Sequence, residues 1–540
     1  MEVFAAVFPI VLLIFLMTKR NPLPSSRALP FSAFVVYVSM LLVFQRNPTL
    51  VHAEVLNGLL VAWTPITIIA GAIFLFKTMD ATGGLAVIRT WLNTVSQHQV
   101  AQLMIVGWAF PFLIEGASGF GTPAALAAPI LVGLGFPPAR VAILCLIMNS
   151  VPVSFGAVGT PTWFGFSAID LTQEELLSIG FKSALLNSVA AFAIPAFALM
   201  FVLKPRTIFE NTFFILPSIL VTVIPYTLIA AMNVEFPSLI GGTIGLVGTV
   251  FMAKKGWGLS KRPTHLQEPV TTSALPVKEV ETTPSENEMG LLKASFPLWG
   301  TILLLVITRI PQLGVKPLLL AQEPALSLGL GFLGEFKMSV AGVLGLSSIL
   351  GTEVNFQHAL LYVPSLIPFG LVSLLAFAWC GTERTVMQGV WQRTVRQMRA
   401  PVCALLGALV FVRLMMMGGD RSAVTLIGNQ LADLTGDSWT FFASYLGALG
   451  SFFSGSATIS NLTFGSIQNE LALKLNLDRT TILAMQSVGG AMGNMVCVNN
   501  IVAVASVLGL QNQEGFILKR TVWSMMVYGV LVGVVAILLF

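Results

Sequence analysis

Long apolar stretches separated by short polar ones run through the whole chain. The first extends from Glu2 to Thr18 and is predicted to be a retained helix, because no basic residues precede it and no small-residue cleavage site follows it. The later stretches cover approximately 29–45, 55–76, 99–114, 138–157, 177–203, 211–232 and 236–253, and then 294–308, 338–351, 358–380, 400–418, 438–453, 480–497 and 520–540. Since about 20 apolar residues span a bilayer, the pattern predicts an all-α polytopic membrane protein with about 12–14 transmembrane helices.

The composition excludes a soluble globular protein. Charged residues occupy 10% of the 540 positions and hydrophobic residues 55%, whereas an average soluble domain has about 25% charged residues. The net charge of +5 fits basic cytoplasmic loops better than a nucleic-acid-binding surface. The four cysteines show no CxxC spacing, and we predict that they are buried free thiols.

One clearly polar segment, 254–293, divides the chain. It begins with several basic residues and continues with a passage rich in Pro, Thr, Ser and Glu, so we predict a flexible linker. The linker separates an N-terminal membrane half, 1–253, from a C-terminal membrane half, 294–540. Because Lys and Arg concentrate in cytoplasmic loops, the linker is predicted to be cytoplasmic and both termini to lie outside. Through 310–356 the number of apolar runs does not fit spans that cross the membrane in alternating directions. We therefore predict that one run there is re-entrant or interfacial.

Each half contains a segment in which Gly, Pro, Asn and hydroxyl residues interrupt the apolar runs. The first, 115–161, begins Glu-Gly-Ala-Ser-Gly-Phe-Gly-Thr-Pro, and the second, 453–500, begins Phe-Ser-Gly-Ser-Ala-Thr-Ile-Ser-Asn. These residues are denser than the every-fourth-residue glycines of close helix packing. The run before the first segment starts from a basic, cytoplasmic stretch, and the run before the second starts from a net-acidic one that the alternation places outside. We therefore predict two inverted-topology repeats with broken or re-entrant helices, the architecture of secondary transporters.

At these residues the sequence resembles the L-lactate permease family of bacteria. The resemblance rests on 115–123, 131–136 and 146–157, extends to 453–493, and covers nearly the whole chain. It implies proton symport of L-lactate, or of a related small 2-hydroxy monocarboxylate such as glycolate, across the bacterial cytoplasmic membrane. The chain has Ala457 and Asn494 where well-known lactate carriers of the family have Asp and Lys. This departure leaves open another organic acid or an inorganic anion as the substrate, and Na⁺ as the coupling ion.

The predicted substrate site lies at the two breaks. A carboxylate in a dry site needs donors, and broken helices supply backbone N–H groups, a positive dipole end and close approach at glycine. The candidates at the two tips are Gly116, Ser118, Gly119, Gly121 and Thr122 in the first segment and Gly455, Ser456, Ser460, Asn461 and Thr463 in the second. Asn149, Ser150, Asn494 and Asn499 are candidates for binding the substrate hydroxyl, and for each of these polar residues helix capping is the alternative.

Three ionisable residues in apolar surroundings are candidates for charge chemistry. Glu115 ends an apolar run directly before the first break, and an acid at membrane depth is by default a functional-site hypothesis. We predict that it carries the coupled proton; the alternative is an interfacial helix cap. Arg309 and Arg413 are candidate partners of the substrate carboxylate, and the alternative for both is snorkelling to the membrane surface.

A different class of function, an intramembrane serine protease, is a remote alternative. Gly116-Ala-Ser-Gly119 resembles the rhomboid motif, but a serine nucleophile needs a positioned base. Most of the four histidines fall in predicted loops or in the linker. The sequence shows no metal-ligand cluster or P-loop, so we predict a transporter rather than an enzyme, with no cofactor beyond the coupling ion. The predicted partners are a small organic anion and the lipid bilayer, with no nucleic acid, and a homo-oligomer is left open.

Overall fold

The computed structural model describes residues 2–19, 23–117, 119, 122–262, 289–309, 313–363, 365–510 and 513–540. Most of them are helical. The helices are α1 (Glu2–Thr18), α2 (Ser25–Leu42), α3 (Pro48–Val61), α4 (Trp63–Ala81), α5 (Gly84–Val95), α6 (Gln99–Gln102), α7 (Phe110–Ala117), α8 (Thr122–Gly133), α9 (Pro138–Met148), α10 (Gly156–Trp163), α11 (Gln173–Leu199), α12 (Pro205–Glu210), α13 (Thr212–Ala230), α14 (Pro237–Lys255), α15 (Leu291–Ala294), α16 (Phe296–Arg309), α17 (Val315–Leu319), α18 (Val372–Cys380), α19 (Arg384–Met416), α20 (Ala423–Thr435), α21 (Trp439–Ser454), α22 (Ala457–Lys474), α23 (Arg479–Asn494), α24 (Val498–Val507) and α25 (Glu514–Leu539).

The predicted class, a helical polytopic membrane protein, is confirmed. Within the described residues, nine helices are long and apolar enough to cross a membrane, or ten if the bent pair Pro138–Met148 and Val151–Trp163 forms one span. Four shorter apolar helices of 10–17 residues accompany them. The predicted number of spans is therefore reached only if these shorter helices also enter the bilayer. Helices suit this solvent because their backbone hydrogen bonds are satisfied within the segment.

The region 310–356, where we predicted a re-entrant or interfacial segment, contains a small antiparallel sheet, and its position at the membrane surface stays a prediction. Its strands are β1 (Pro324–Gly329), β2 (Glu335–Ser339), β3 (Val343–Ser347) and β4 (Phe356–Ala359), hydrogen-bonded in chain order. The apolar run 338–351 is thus a hairpin and not a span. Gly342, with φ +68°, lies in the turn between β2 and β3, and the strands on either side are too short to span a bilayer.

Two compact units divide the described chain. One consists of Met1–Leu85 and Leu291–Leu434, and the other of Ala86–Gly290 and Thr435–Phe540. Each unit therefore contains segments from both predicted halves. The division of the chain into an N-terminal and a C-terminal membrane half stays a prediction. Residues 263–288 of the predicted linker lie outside the described residues. Both breaks belong to the second unit, which we call the break unit.

The break unit is built by helices that approach closely at glycines. A Cβ on Gly242 of α14 would lie 2.4 Å from the backbone nitrogen of Leu113 of α7, and one on Gly447 of α21 would lie 2.3 Å from the carbonyl oxygen of Gln486 of α23. Such approach is the usual way to pack helices in a membrane, where small residues let backbones come into van der Waals contact. It fixes α7 and α21, the two helices that lead into the breaks.

A polar corner joins the two predicted halves within the break unit. Asp478 caps α23 by accepting hydrogen bonds from the backbone nitrogens of Thr480 and Thr481 at 3.1 and 3.2 Å. The Lys182 ammonium of α11 pairs with the same carboxylate. Burial raises the pKa of Asp478, but the hydrogen bonds from Lys182 and the two threonine hydroxyls outweigh it and lower the pKa to about 2. The turn before α23 is therefore held to α11 by a charged pair.

Candidate functional site

A small pocket lies where the two breaks meet inside the break unit. The space open to the centre of a water-sized sphere is about 20 Å³, enough for about one water molecule. Its walls come from both predicted repeats, and the lining residues are Glu115, Gly119, Val153, Gly156, Ala157, Pro161, Gly455, Ser456, Ala457, Thr458 and Asn494. Glu115 is the only ionisable residue among them. The pocket thus combines one carboxyl group with several neutral hydrogen-bonding groups.

Glu115 reaches the pocket from the end of a fully buried segment. The segment Gln99–Ala117 runs from α6 through a π-helical stretch, Leu103–Ala109, into α7. π-Helical turns inside helices often occur at functional sites. The exposed fraction of Glu115 is 2%, so the break unit holds this acid in its interior.

The Glu115 carboxyl group is held from two sides. Its Oε2 accepts a hydrogen bond from Nδ2 of Asn149 at 3.1 Å. Its Oε1 lies so near Gly156 that a Cβ there would approach it to 2.4 Å, and a Cβ on Gly119 would lie 3.5 Å away. Glycine at 156 is therefore the residue that leaves room for the carboxyl group. Oδ1 of Asn149 is buried without a protein partner in the described structure, so one acceptor next to the acid is unsatisfied.

The wall beside Glu115 is a strained turn at the start of α10. Ala157, Val158 and Gly159 have φ of 44°, 58° and 69°, in the left-handed region. This conformation costs a residue with a Cβ roughly 1–2 kcal/mol, so Ala157 and the β-branched Val158 are held there by their surroundings. At Gly159 a Cβ would lie 1.9 Å from the carbonyl oxygen of Val234, which only glycine avoids. Strain of this kind is concentrated at functional sites and moving segments.

The second break presents the N-terminus of α22 to the same pocket. Gly455, with φ +73°, ends α21, and Ser456 caps α22 by accepting a hydrogen bond from the nitrogen of Ile459 at 3.3 Å. Ala457 and Thr458 follow in the first turn, where backbone N–H groups have no intrahelical acceptor. The positive end of the helix dipole therefore faces the pocket. A helix end of this kind attracts an anion without needing a charged side chain.

Five of the predicted site residues line the pocket, namely Glu115, Gly119, Gly455, Ser456 and Asn494. Asn149 binds Glu115 directly behind the wall. Oδ1 of Asn494 accepts a hydrogen bond from Nδ2 of Asn500 at 2.7 Å. Asn499 is exposed, and its side chain lies beside Gly455, 3.6 Å from where a Cβ would be. Ser118 and Gly121 lie outside the described residues, and Thr122 begins α8.

The other predicted site residues have structural partners. The hydroxyls of Ser150, Ser460 and Thr463 donate to the carbonyl oxygens of Ile147, Gly447 and Ile459 at 2.7, 2.6 and 2.7 Å. Asn461 donates to the carbonyl oxygen of Pro161 at 2.9 Å. Gly116 packs on α14, where a Cβ would lie 2.4 Å from the nitrogen of Leu239. These contacts are of the capping and packing kind, and ligand contact by these residues stays a prediction.

The two arginines proposed for the substrate carboxylate lie in the other unit. Arg309 ends α16, and Arg413 is in the last turn of α19. Arg413 interacts electrostatically with Glu54 of α3 in the same unit. Among the described residues, those that line the pocket belong to the break unit and include neither arginine, so a role of Arg309 or Arg413 stays a prediction.

The sequence interpretation missed Val153, Gly156, Ala157, Pro161 and Thr458 as pocket residues. Gly156, Ala157 and Pro161 belong to Phe155-Gly-Ala-Val-Gly-Thr-Pro161, where two glycines and a proline fall within six positions. That density predicts a break in the helix. Which of its residues face the pocket depends on left-handed dihedral angles that the residue types at 157 and 158 do not predict.

Comparisons with known proteins agree on one family. The family model described as L-lactate permease matches residues 2–540. A Haemophilus influenzae relative, likewise assigned as an L-lactate permease, is 47% identical over 99% of this chain and 98% of its own length. The glycolate permease GlcA of Escherichia coli is 27% identical over 88% of this chain and 84% of its length. The L-lactate permease of Bacillus subtilis is 28% identical over 84% of this chain and 81% of its length.

Among solved structures, the YdaH transporter of Alcanivorax borkumensis covers 100% of this chain and 99% of its own. The identity is 14% and the TM-score 0.40. Likeness at this level carries no conclusion about this chain.

Proposed function

The chain belongs to the L-lactate permease family, and we propose that it moves L-lactate, or a related small 2-hydroxy monocarboxylate such as glycolate, across the bacterial cytoplasmic membrane by proton symport. It is a multi-pass membrane protein and a transporter, not an enzyme. The observation that carries the proposal is the pocket at the two breaks, in which one acid faces a helix N-terminus. The orientation with both termini outside and 254–293 in the cytoplasm is part of the same proposal.

The chemistry of a 2-hydroxy acid fits the groups that line the pocket. Its carboxylate binds at the positive end of the α22 dipole and accepts hydrogen bonds from the N–H groups of Ala457 and Thr458. Its hydroxyl forms a hydrogen bond with Ser456 or Asn494, whose side chains can both donate and accept. Because these donors are neutral, they stabilise the bound anion without the Lys that related carriers have in place of Asn494. None of the described residues that line the pocket is cationic, so a second carboxylate would be unpaired there, which favours monocarboxylates.

Proton coupling follows from placing two carboxylates in one buried pocket. Two unit charges about 4 Å apart repel by about 4 kcal/mol at an effective dielectric constant of 20. Ionised Glu115 therefore opposes binding of the substrate anion, and protonated Glu115 does not. Each ligand raises the affinity for the other by the same factor, because the coupling free energy is reciprocal. A carrier that reorients only when both sites are filled or both are empty then performs symport.

Substrate passage requires the pocket to change size. The described pocket accommodates about one water molecule, so a bound acid needs its walls to separate. The left-handed turn Ala157–Gly159 is the wall best suited to move, since relief of its strain favours an alternative backbone. We propose that the two breaks separate alternately toward each side of the membrane, as in other carriers built from broken helices.

Gradient-driven uptake tests the substrate and the coupling ion together. Purified protein in liposomes is expected to accumulate labelled L-lactate or glycolate when a proton gradient, acidic outside, is imposed, and not when a Na⁺ gradient replaces it. Protein-free liposomes under the same gradients are the control for passive entry of the free acid. Accumulation driven by Na⁺ alone, or uptake of an inorganic anion with no uptake of either acid, would replace this proposal by the corresponding alternative.

A further inference from the structure

A continuous chain of hydrogen bonds runs through the break unit and ends at the pocket wall. Nε1 of Trp439 donates to Oε1 of Gln468 at 2.7 Å, and Nε2 of Gln468 donates to Oε1 of Gln486 at 3.0 Å. Nε2 of Gln486 donates to Oδ1 of Asn461 at 3.3 Å, and Nδ2 of Asn461 donates to the carbonyl oxygen of Pro161 at 2.9 Å. Gln468, Gln486 and Asn461 are fully buried. Four hydrogen bonds thus connect α21 with α10.

The direction of this chain is fixed by its two ends. The indole N–H of Trp439 can only donate, and the carbonyl oxygen of Pro161 can only accept. Each amide between them must therefore accept on the tryptophan side and donate on the proline side. Buried hydrogen bonds in such a series polarise one another, and an unpaired member is costly. The series therefore favours one arrangement of the helices that it joins.

The last bond of the chain crosses between the two predicted repeats. Pro161 belongs to α10 of the first break and lines the pocket. Asn461 lies in α22 of the second break, one turn after Thr458, which also lines the pocket. The bond between them therefore spans the base of the two walls that a substrate would separate. Its other end is anchored through Gln486 to α23, which packs against both α21 and α22.

We propose that Asn461 and Gln486 are positioning residues that hold the pocket closed, and that the bond from Asn461 to Pro161 breaks when the pocket opens. The inference rests on the proposed function, because it takes the pocket to be the substrate site. It assigns Asn461 a different part from the direct ligand contact that the sequence suggested. The Asn461 side chain affects substrate binding indirectly, because its bond controls how readily α10 and α22 separate.

A native cysteine reports the opening. Sγ of Cys497 is buried and lies beside the pocket residue Gly455, 3.1 Å from where a Cβ would be. Cys380 is half-buried and Cys403 is exposed, so both are replaced by Ser in the test protein. The rate at which a membrane-permeant maleimide labels Cys497, read by peptide mass spectrometry, then measures how often the pocket wall opens. This readout needs no substrate.

The variants Asn461→Ala and Gln486→Met test the proposal. Loss of a typical hydrogen bond shifts an equilibrium by roughly fivefold, and we expect the labelling rate of Cys497 to rise by about that factor. The apparent KM for the transported acid is expected to rise more than the maximal rate falls. Ser188→Ala is the matched control, because it removes a partly buried bond of 2.7 Å to Thr227 between α11 and α13 and leaves the pocket lining intact.

The outcomes separate the two proposals. Wild-type labelling of Cys497 in both folded variants, or an equal rise in Ser188→Ala, would overturn the positioning role. If either variant fails size-exclusion chromatography, the other still decides. Faster labelling in a protein that takes up neither L-lactate nor glycolate would leave the positioning role intact and remove the proposed substrates. If the variants take up substrate like the wild type and the labelling rate of Cys497 does not change, the positioning role is overturned and the proposed substrates remain.

Discussion

Glu115→Gln is expected to abolish accumulation driven by a pH gradient while preserving exchange of internal for external substrate. The amide imitates the protonated acid permanently, so the loaded carrier still reorients but no longer moves a proton with its cargo. Wild-type protein with one proton per monocarboxylate is expected to concentrate substrate by up to about tenfold per pH unit. The variant is expected to show no net uptake, because its empty form imitates the proton-loaded carrier without substrate, which does not reorient. Counterflow and gradient-driven uptake in the same liposomes measure both quantities.

The matched control for this substitution is Glu335→Gln. Glu335 lies in the sheet, is exposed and pairs with Lys337 at 2.9 Å, so its replacement makes the same chemical change at a residue that does not line the pocket. It is expected to keep both accumulation and exchange. If Glu115→Gln concentrates substrate to the wild-type level, Glu115 is not the coupling residue. Arg309 and Glu353 would then need testing, whereas the Glu335→Gln variant already tests Glu335.

Gly156→Ala is expected to reduce transport of the substrate by roughly tenfold or more, because overpacking costs about 1–3 kcal/mol. The new Cβ would lie 2.4 Å from Oε1 of Glu115, so the carboxyl group must move out of its place between Asn149 and α10. The displaced group then occupies space that the substrate needs. The initial rate of uptake as a function of substrate concentration measures the loss.

Gly133→Ala is the control for a glycine substitution in the same unit. It lies at the end of α8, and no atom comes within 4 Å of the Cβ that it would gain. Its uptake is expected to equal that of the wild type. To distinguish misfolding from a loss of transport, both variants are compared for expression in the membrane and for the elution profile in detergent. Normal uptake by folded Gly156→Ala would show that the position of Glu115 does not matter for transport.

The membrane class was predictable, but the sheet was not. Apolar stretches as long as a bilayer is thick have one stable solution, so the spans could be located from hydropathy. The apolar run 338–351 is similar in composition to the spans, but it does not form a spanning helix. Its strands β2 and β3 are five residues each and turn at Gly342. A hairpin this short has a weaker periodicity than a helix, and hydropathy alone does not distinguish them.

The site was predictable where a residue type forces a local structure. Glycine and proline mark a broken helix, so the positions of Glu115, Gly119, Gly455 and Ser456 near the breaks followed from the sequence. The roles of Ser460 and Thr463 did not, because a buried hydroxyl on a helix can bond to its own backbone or to a ligand. Only the packing of neighbouring helices decides between the two.

Long-range partners were beyond the sequence altogether. Asn461 and Pro161 are 300 positions apart, and no local pattern connects them. The left-handed turn at Ala157 and Val158 is equally hidden, because alanine and valine normally avoid that conformation. Tertiary contacts impose both features. They are the features that convert two separate breaks into one pocket.

The most direct test of the central claim, that substrate and proton meet in one pocket, is the number of protons bound when L-lactate binds to the purified protein. Calorimetric titration in two buffers with different ionisation enthalpies measures it. At a pH where Glu115 is ionised in the free protein, the wild type is expected to take up about one proton per lactate, and Glu115→Gln about none. Affinity in the wild type is expected to fall as the pH rises, and to stay constant in the variant. Equal proton uptake in both proteins, or pH-independent binding in the wild type, would contradict the account.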